Sequence, residues 1–497
     1  MSQKLVDITP QHISSGIWPS GEEEAIPLWS DGSNVLFNDR GVQKMLGWSA
    51  ALTAPGTDPI RGMFQYRTLA LENILYFGDK AKIYKLTDTV VTTEGTGYTG
   101  NETAGETFWD SGSTTWDSGS TTWDGASGLV RVSTWSFANF GDWVIATNGK
   151  DVPQIDKGTG FSSLPTGGIF STSHIVRRFG PHMIMYGTDV DGKELVWSTE
   201  DDPEQYIPTS ANQAGSLKIR EALSDIVAVE HLNNQHVVFD RDSMYLVRYI
   251  GSPLYFGYQQ IIPSGAGAVS KNSVIAVDRM LYVMSESGFY RTDGVQIEPI
   301  DTDEIKAYVF DNINISQIEK SAGFHDQKND SVRWYYLSSG TSEPDRAVVY
   351  NYRTQKWSIL DHGRTAALPK HIFENPVTGD ESGSVFFENF GNDADGSALS
   401  TSLISKPMDL DQESLIKTFD RLRVGWEGAG LQYRLGTADN PNDSFSYTNW
   451  ASVSTDRKQM DIRKTGRFMR IEFRSTSLGD NWDLKKITVE GTIRGSR

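Results

Sequence analysis

The stretch WDSGSTTWDSGSTTWD, from Trp109 to Asp124, sets tryptophan at positions 109, 116 and 123, each followed by aspartate. An indole face can stack on a sugar ring or pack on a neighbouring protein, and each can bury about 200 Å². The adjoining carboxylate can accept hydrogen bonds from hydroxyls. On a straight strand a seven-residue step turns successive side chains to opposite faces. The repeated Ser-Gly-Ser-Thr-Thr supplies a turn instead, so Trp-Asp falls at the same place in each short arc. Trp109, Trp116 and Trp123 are therefore expected to be interaction residues, with no catalytic role, on a loop insertion at about 92–128. The other reading is a duplicated insertion covering the chain's own hydrophobic surface.

A sharper reading is the Asp-box, S-x-D-x-G-x-T-W, a hairpin signature of some propeller glycosidases. Asp110, Gly112, Thr115 and Trp116 nearly match it, with one extra residue between glycine and threonine. In such enzymes the box returns once per blade, whereas this one returns every seven residues within one loop. The P-loop, H-E-x-x-H and G-x-S-x-G patterns are absent. Eight histidines are scattered; the nearest pair, His231 and His236, reads as strand-end residues more readily than as zinc ligands. TDVDGKE (188–194) and NDADGS (392–397) have oxygen ligands suited to calcium, yet Asp-Gly is also the natural dipeptide of a turn between strands. GAGAVS (265–270) is a fragment of a dinucleotide fingerprint without its βαβ setting, so a flexible turn between blades is expected. No catalytic, cofactor or metal residues are assigned, and the chain is not expected to be an enzyme.

The elements that would position any site are short. Pairs of apolar runs joined by polar or glycine-bearing turns occur at 73–86, 142–155, 182–198, 236–250, 280–294 and 332–358. Each run has four to six residues rich in Val, Ile, Tyr, Phe and Trp, too short for a helix. Their spacing of roughly 40 to 70 residues suits repeated four-stranded sheets, one per blade of a β-propeller. Radial repetition would also hide sheet edges. The expected fold is all-β: an N-terminal extended arm at 1–27, a β-propeller of about six to eight blades at 28–395, and a C-terminal antiparallel β-sandwich at 400–497. A run of β-sandwich domains ranks second. In RFMRIEF, Phe468, Ile471 and Phe473 alternate with arginines, as in a strand with one wet face. One helix is expected over 301–320, opened by a capping box from Asp301 to Glu304.

Composition is globular, 38% hydrophobic and 22% charged, and 497 residues exceed one ordinary core. No cysteine is present, which excludes disulfides and thiol chemistry. No apolar run approaches the roughly 20 residues of a membrane span, and MSQKLVDITPQ lacks a signal-peptide pattern, so secretion is not expected. The net charge of −18 is uneven: residues 400–497 hold 16 basic and 13 acidic residues, leaving −21 on residues 1–399. Such a body repels phosphate and argues against specific nucleic-acid binding by its general surface.

Four stretches together resemble the tail hub or nozzle proteins of short-tailed bacteriophages, the tail tubular protein B-like and packaged-DNA stabilisation proteins. They are LWSDGSNVLFNDRGVQKMLGW (28–48), LVWSTEDDPEQYIP (195–208), GAVSKNSVIAVDRMLYVMSESGFYRTDG (267–294) and TGRFMRIEFRSTSLGDNWDLKKITVEG (465–491). The resemblance spans most of 28–493; the Trp-Asp repeat departs from it. It implies a homo-oligomeric, hexameric ring in the virion tail, made in the host cytoplasm. The ring would sit below the portal, against a head-to-tail adaptor ring and tail fibre or spike proteins. It implies no catalytic residue. Six copies of a chain with charge −18 carry −108, which suits a channel conducting DNA without binding it. The alternative is a propeller glycan-binding or glycan-cleaving tail protein using the Trp-Asp loop.

Overall fold

A computed structural model of the chain describes residues 3–8, 10–17, 28–52, 55–87, 90–102, 131–410, 413–454 and 459–495. Strands dominate, and seven sheets have four antiparallel strands each. Six of them are continuous in sequence, at 62–96, 136–163, 173–218, 228–262, 274–299 and 322–360. The seventh takes three strands from 366–388 and its outermost from Trp48–Leu52, paired to Val385–Glu388. The first strand of each sheet touches the first strand of the next, and that of the seventh touches that of the first.

This arrangement buries both faces of every middle strand. In Asn73–Gly78, Ile74 and Tyr76 face the second sheet, while Leu75 and Phe77 face the seventh. The same alternation fills a separate apolar cluster between each consecutive pair of sheets. That is why the runs read as continuously apolar. The six hairpins expected from the sequence fall on the middle strands of sheets one to six, the sixth, 332–358, also running into the outer strand Lys356–Leu360.

Two six-stranded sheets share one further core that includes Trp29, Phe419, Trp426, Ile471, Trp482 and Val489. One orders Val35–Asn38, Gly41–Lys44, Asn481–Gly495, Ile416–Ala429 and Gln459–Gly466, with Gln3–Ile8 also on Asn481–Gly495. The other orders Trp29–Ser33, Thr401–Ser405, Phe468–Ser475, Gln432–Ala438 and Ser446–Tyr447, with Ala451–Ser452 also on Gln432–Ala438. Trp29–Ser33 and Gly41–Lys44 thus pair with the C-terminal strands, with Val35–Asn38 as the edge strand on Gly41–Lys44, and not with the hairpin-repeat segment where the sequence reading put them. Part of the expected arm, Gln3–Ile8, is likewise a paired strand. The described part of the chain before residue 45 completes the C-terminal sheets.

The expected helix is shorter and differently capped. It covers Asp303–Phe310, and the Thr302 hydroxyl accepts from Ile305 N. Asp301 is drawn away because its carboxylate accepts from Phe289 N at 2.9 Å. A separate 3₁₀ segment follows at Ile315–Lys320. The helix fills the gap between sheets five and six with Ile305 and Val309. GAGAVS is no flexible turn: Ala266, Ala268 and Val269 are fully buried, and a side chain at Gly267 would collide with the carbonyl oxygen of Arg241.

Candidate functional site

Charged residues stand just before the first strands of several sheets: Arg61, Arg131, Lys271, Glu319 and Lys320. Their side chains gather at one end of the ring of first strands. Arg61 is fully buried and donates to both carboxylate oxygens of Glu343, at 2.8 and 2.6 Å, and also to Glu102. Lys320 joins Glu343 at 2.7 Å. Glu319 accepts from Arg241 at 2.8 Å and lies 3.7 Å from Arg131 Nε. Arg241 also pairs with Glu286 at 2.7 Å.

Lys271 reaches from the start of the fifth sheet to the second and third. Its Nζ donates to the carbonyl oxygens of Thr134 at 2.6 Å and His174 at 2.8 Å. Burial holds its pKa well below the usual lysine value, Arg131 and Arg177 push the same way, and Glu319 opposes them. These contacts join sheets that are not neighbours in the series. The cluster therefore acts as a crossbar for the ring, because a desolvated cation is tolerated only with strong acceptors around it.

Beside the crossbar, between sheets two, three and four, is a pocket of about 280 Å³. Its walls come from the segments that begin first strands and from the turns between second and third strands. Gly149, at φ +82°, keeps the His174 ring accessible: a Cβ there would lie 2.9 Å from His174 Nδ1. Burial, then Lys271 and Arg131, hold the His174 pKa well below its ordinary value, so the imidazole is neutral at pH 7.

Trp109, Trp116 and Trp123 lie outside the described residues. The segments flanking them are described, and they lead to the charged cluster. Gly100 N donates to Lys80 O at 3.1 Å, and Asn101 and Ser133 exchange 2.9 Å hydrogen bonds. Glu102 and Arg131, the last residues before and the first after the undescribed segment, pair with Arg61 and Glu319.

His231 and His236 face each other across a hairpin with ring centroids 5.6 Å apart. Tyr186 Oη lies 2.7 Å from His236 Nδ1 and Arg178 O 3.2 Å from its Nε2. Burial, then His231 and Arg177, lower the His236 pKa to about 3. The aspartates of the two Asp-Gly turns serve local structure. Asp189 accepts from Ser171 N and Thr172 N, and Asp191 pairs with Lys218. Asp393 accepts from Gly479 N at 2.6 Å and Asp395 from Ala50 N at 2.9 Å, tying the seventh sheet to the two-sheet unit.

A second charged feature lies on the outer face of Phe468–Ser475, which is covered and not simply wet. Arg434 lies over the rings of Tyr447 and Trp450, Arg470 over Phe445 and Arg474 over Trp450, at 4.0 to 4.7 Å. Glu472 neutralises only Arg434, through a 2.7 Å hydrogen bond. The crossbar was not singled out in the sequence because its members are far apart there. A recurring charge ahead of an apolar strand was the signal available.

The chain matches no protein-family model, and no curated protein is similar to it.

Proposed function

We propose that the seven sheets are the blades of a β-propeller, closed by Trp48–Leu52, with the two six-stranded sheets as a β-sandwich. We further propose a structural, non-catalytic role: a subunit of the tail nozzle or hub ring of a short-tailed phage. There it would close and conduct the DNA exit channel next to an adaptor ring and tail fibre or spike proteins. The cyclic contacts of the first strands and the cores between consecutive sheets support the propeller. The observation that carries the role is the separation of charge. Residues 45–399 carry a net −18, while the two-sheet unit, residues 1–44 at −3 with residues 400–497 at +3, has no net charge and holds Arg434, Arg470 and Arg474 over aromatic rings. Preordered arginines give a docking face for an acidic neighbour at little entropic cost. The acidic body would let DNA pass without adhering.

The test is the content of purified virions. Mass spectrometry should detect this chain in tails, and particles lacking it should fail to retain packaged DNA. Its absence from virions, with sugar hydrolysis or glycan binding as its only activity, would replace this reading by the glycan one.

A further inference from the structure

The edge of a sheet carries unpaired N–H and C=O groups, and folded proteins blunt it with a short strand, charge, proline or a cover. Six of the seven outermost strands are treated in this way. Phe161–Ser163 and Ile297–Pro299 have three residues each, Gly215–Lys218 ends in a lysine, and Val90–Thr96 carries Glu94. Lys356–Leu360 is covered by the two-sheet unit, with Ile17 N donating to Trp357 O and Asn34 N to Ile359 O. Trp48–Leu52 is held by Asp395, whose carboxylate accepts from Ala50 N and whose N–H donates to Trp48 O. The fourth sheet differs. Its outermost strand, Tyr255–Ile262, has eight residues, no charge and no proline, and its pairing with Met244–Gly251 is regular from Phe256 to Gln260. Among the described residues, its backbone groups bond only that partner strand and the turn at Leu254. The turn leaves Ile250 and Leu254 exposed, so apolar surface continues past the end of the strand.

We propose that this edge accepts an added strand, an extended acidic segment of another polypeptide. The strand form follows from the open backbone groups, which only an extended chain can match in series. The acidic character follows from two arginines, one on each face. Arg248 stands opposite Gly257, which has no side chain to shield it, and is exposed on the side toward the fifth sheet. Arg220 is exposed on the side toward the third sheet, where its backbone N–H donates to Tyr258 Oη at 3.2 Å. Neither guanidinium pairs with a described residue, although residues 45–399 carry a net −18. Glu221, next to Arg220, is engaged by the Tyr258 hydroxyl. A carboxylate on either face of the added strand would therefore meet an unpaired cation, and its apolar side chains would cover Ile250 and Leu254.

The inference is independent of the ring, and the isolated full chain tests it. The probe is a fluorescein-labelled octapeptide, Thr-Val-Glu-Thr-Val-Glu-Thr-Val, compared with its Lys-for-Glu version and with a version N-methylated at the four central residues. Fluorescence anisotropy should show saturable binding of the acidic peptide, with the lysine version at least about 5-fold weaker. N-methylation removes backbone donors and keeps the charge, so it should abolish binding. Arg248→Glu and Gln259→Glu, both at exposed positions, should each weaken the acidic peptide about 5-fold or more with unchanged thermal stability. Undiminished binding of the N-methylated peptide would show a charge contact without strand addition and overturn the proposal. So would no saturable binding, or equal binding of the two charge versions. Self-association of the chain that Gln259→Glu abolishes, seen by light scattering, would assign the edge to a second copy and overturn it as well.

Discussion

Replacing Glu388 by glutamine should destabilise the protein by roughly 3–5 kcal/mol, the cost of removing one partner from a buried charge network. Glu388 is on the strand that pairs with Trp48–Leu52, and it is fully buried. Its carboxylate accepts from Arg364 Nε at 2.9 Å and from the Thr378 hydroxyl at 2.9 Å, and lies 3.5 Å from Arg333 Nη1. Arg333 and Asp326 are fully buried too, so two arginines and two carboxylates balance out of water. Glutamine keeps the shape and leaves two guanidinium groups to one carboxylate. Trp48 is bound to the same seam, stacked on His362 at 4.7 Å and beneath Arg364 at 4.7 Å. The loss should therefore loosen the closing strand. At roughly 2–4 °C per kcal/mol the melting temperature should fall by about 6–20 °C. Calorimetry and tryptophan fluorescence would read it, with hydrogen exchange locating the loss at 48–52 and 385–388. A change under about 1 kcal/mol would refute the claim that this network holds the closure.

Other perturbations test separate parts of the account. Lys271→Met should change the pH dependence of stability. The folded-state pKa of Lys271 is lowered, so between that value and the unfolded value near 10.5 the unfolded chain holds more protons and stability rises with pH. Urea titrations should show a wild-type gain across that window that is reduced in the variant; identical slopes would contradict the placement of Lys271. Replacing residues 103–130 by a short Gly-Ser linker should leave melting within about 1 kcal/mol of the parent, because the Asn101–Ser133 pairing is retained. Assembly or partner contacts should weaken instead, and failure to fold would place the tryptophans in the core. The double change Arg470→Glu and Arg474→Glu should abolish association in size-exclusion chromatography. Each lost ring contact should cost the monomer only about 0.5–1 kcal/mol, read from its melting curve.

How much of this was legible beforehand depended on burial. Middle strands such as Asn73–Gly78 and Met280–Ser285 are covered on both faces, so they stand out as apolar runs, and six sheets followed from them. The seventh was hidden because Ala366–Leu368 and Val377–Gly379 have three residues each, and its fourth strand lies more than 300 residues away. Strand pairing at that range leaves no local trace. The same holds for Gln3–Ile8, Trp29–Ser33 and Gly41–Lys44, which pair with strands at the other end of the chain. The Asp301–Glu304 spacing pointed one residue away from the real cap, since Thr302 offers its hydroxyl while Asp301 serves Phe289. The crossbar and the pocket are built from residues before strands and in turns, where a lone charge reads as solvated. Only the ring of first strands brings Lys271 to Thr134, or Glu319 to Arg131.

The central claim is assembly into a ring that conducts DNA, and the mass of the recombinant chain in solution, by native mass spectrometry or light scattering, tests it most directly. The account predicts a closed species of six 55.2-kDa subunits, formed by the chain alone or on adding the adaptor ring, and a central opening for duplex DNA in electron micrographs. A chain that stays monomeric at all concentrations, with and without the adaptor, would contradict it.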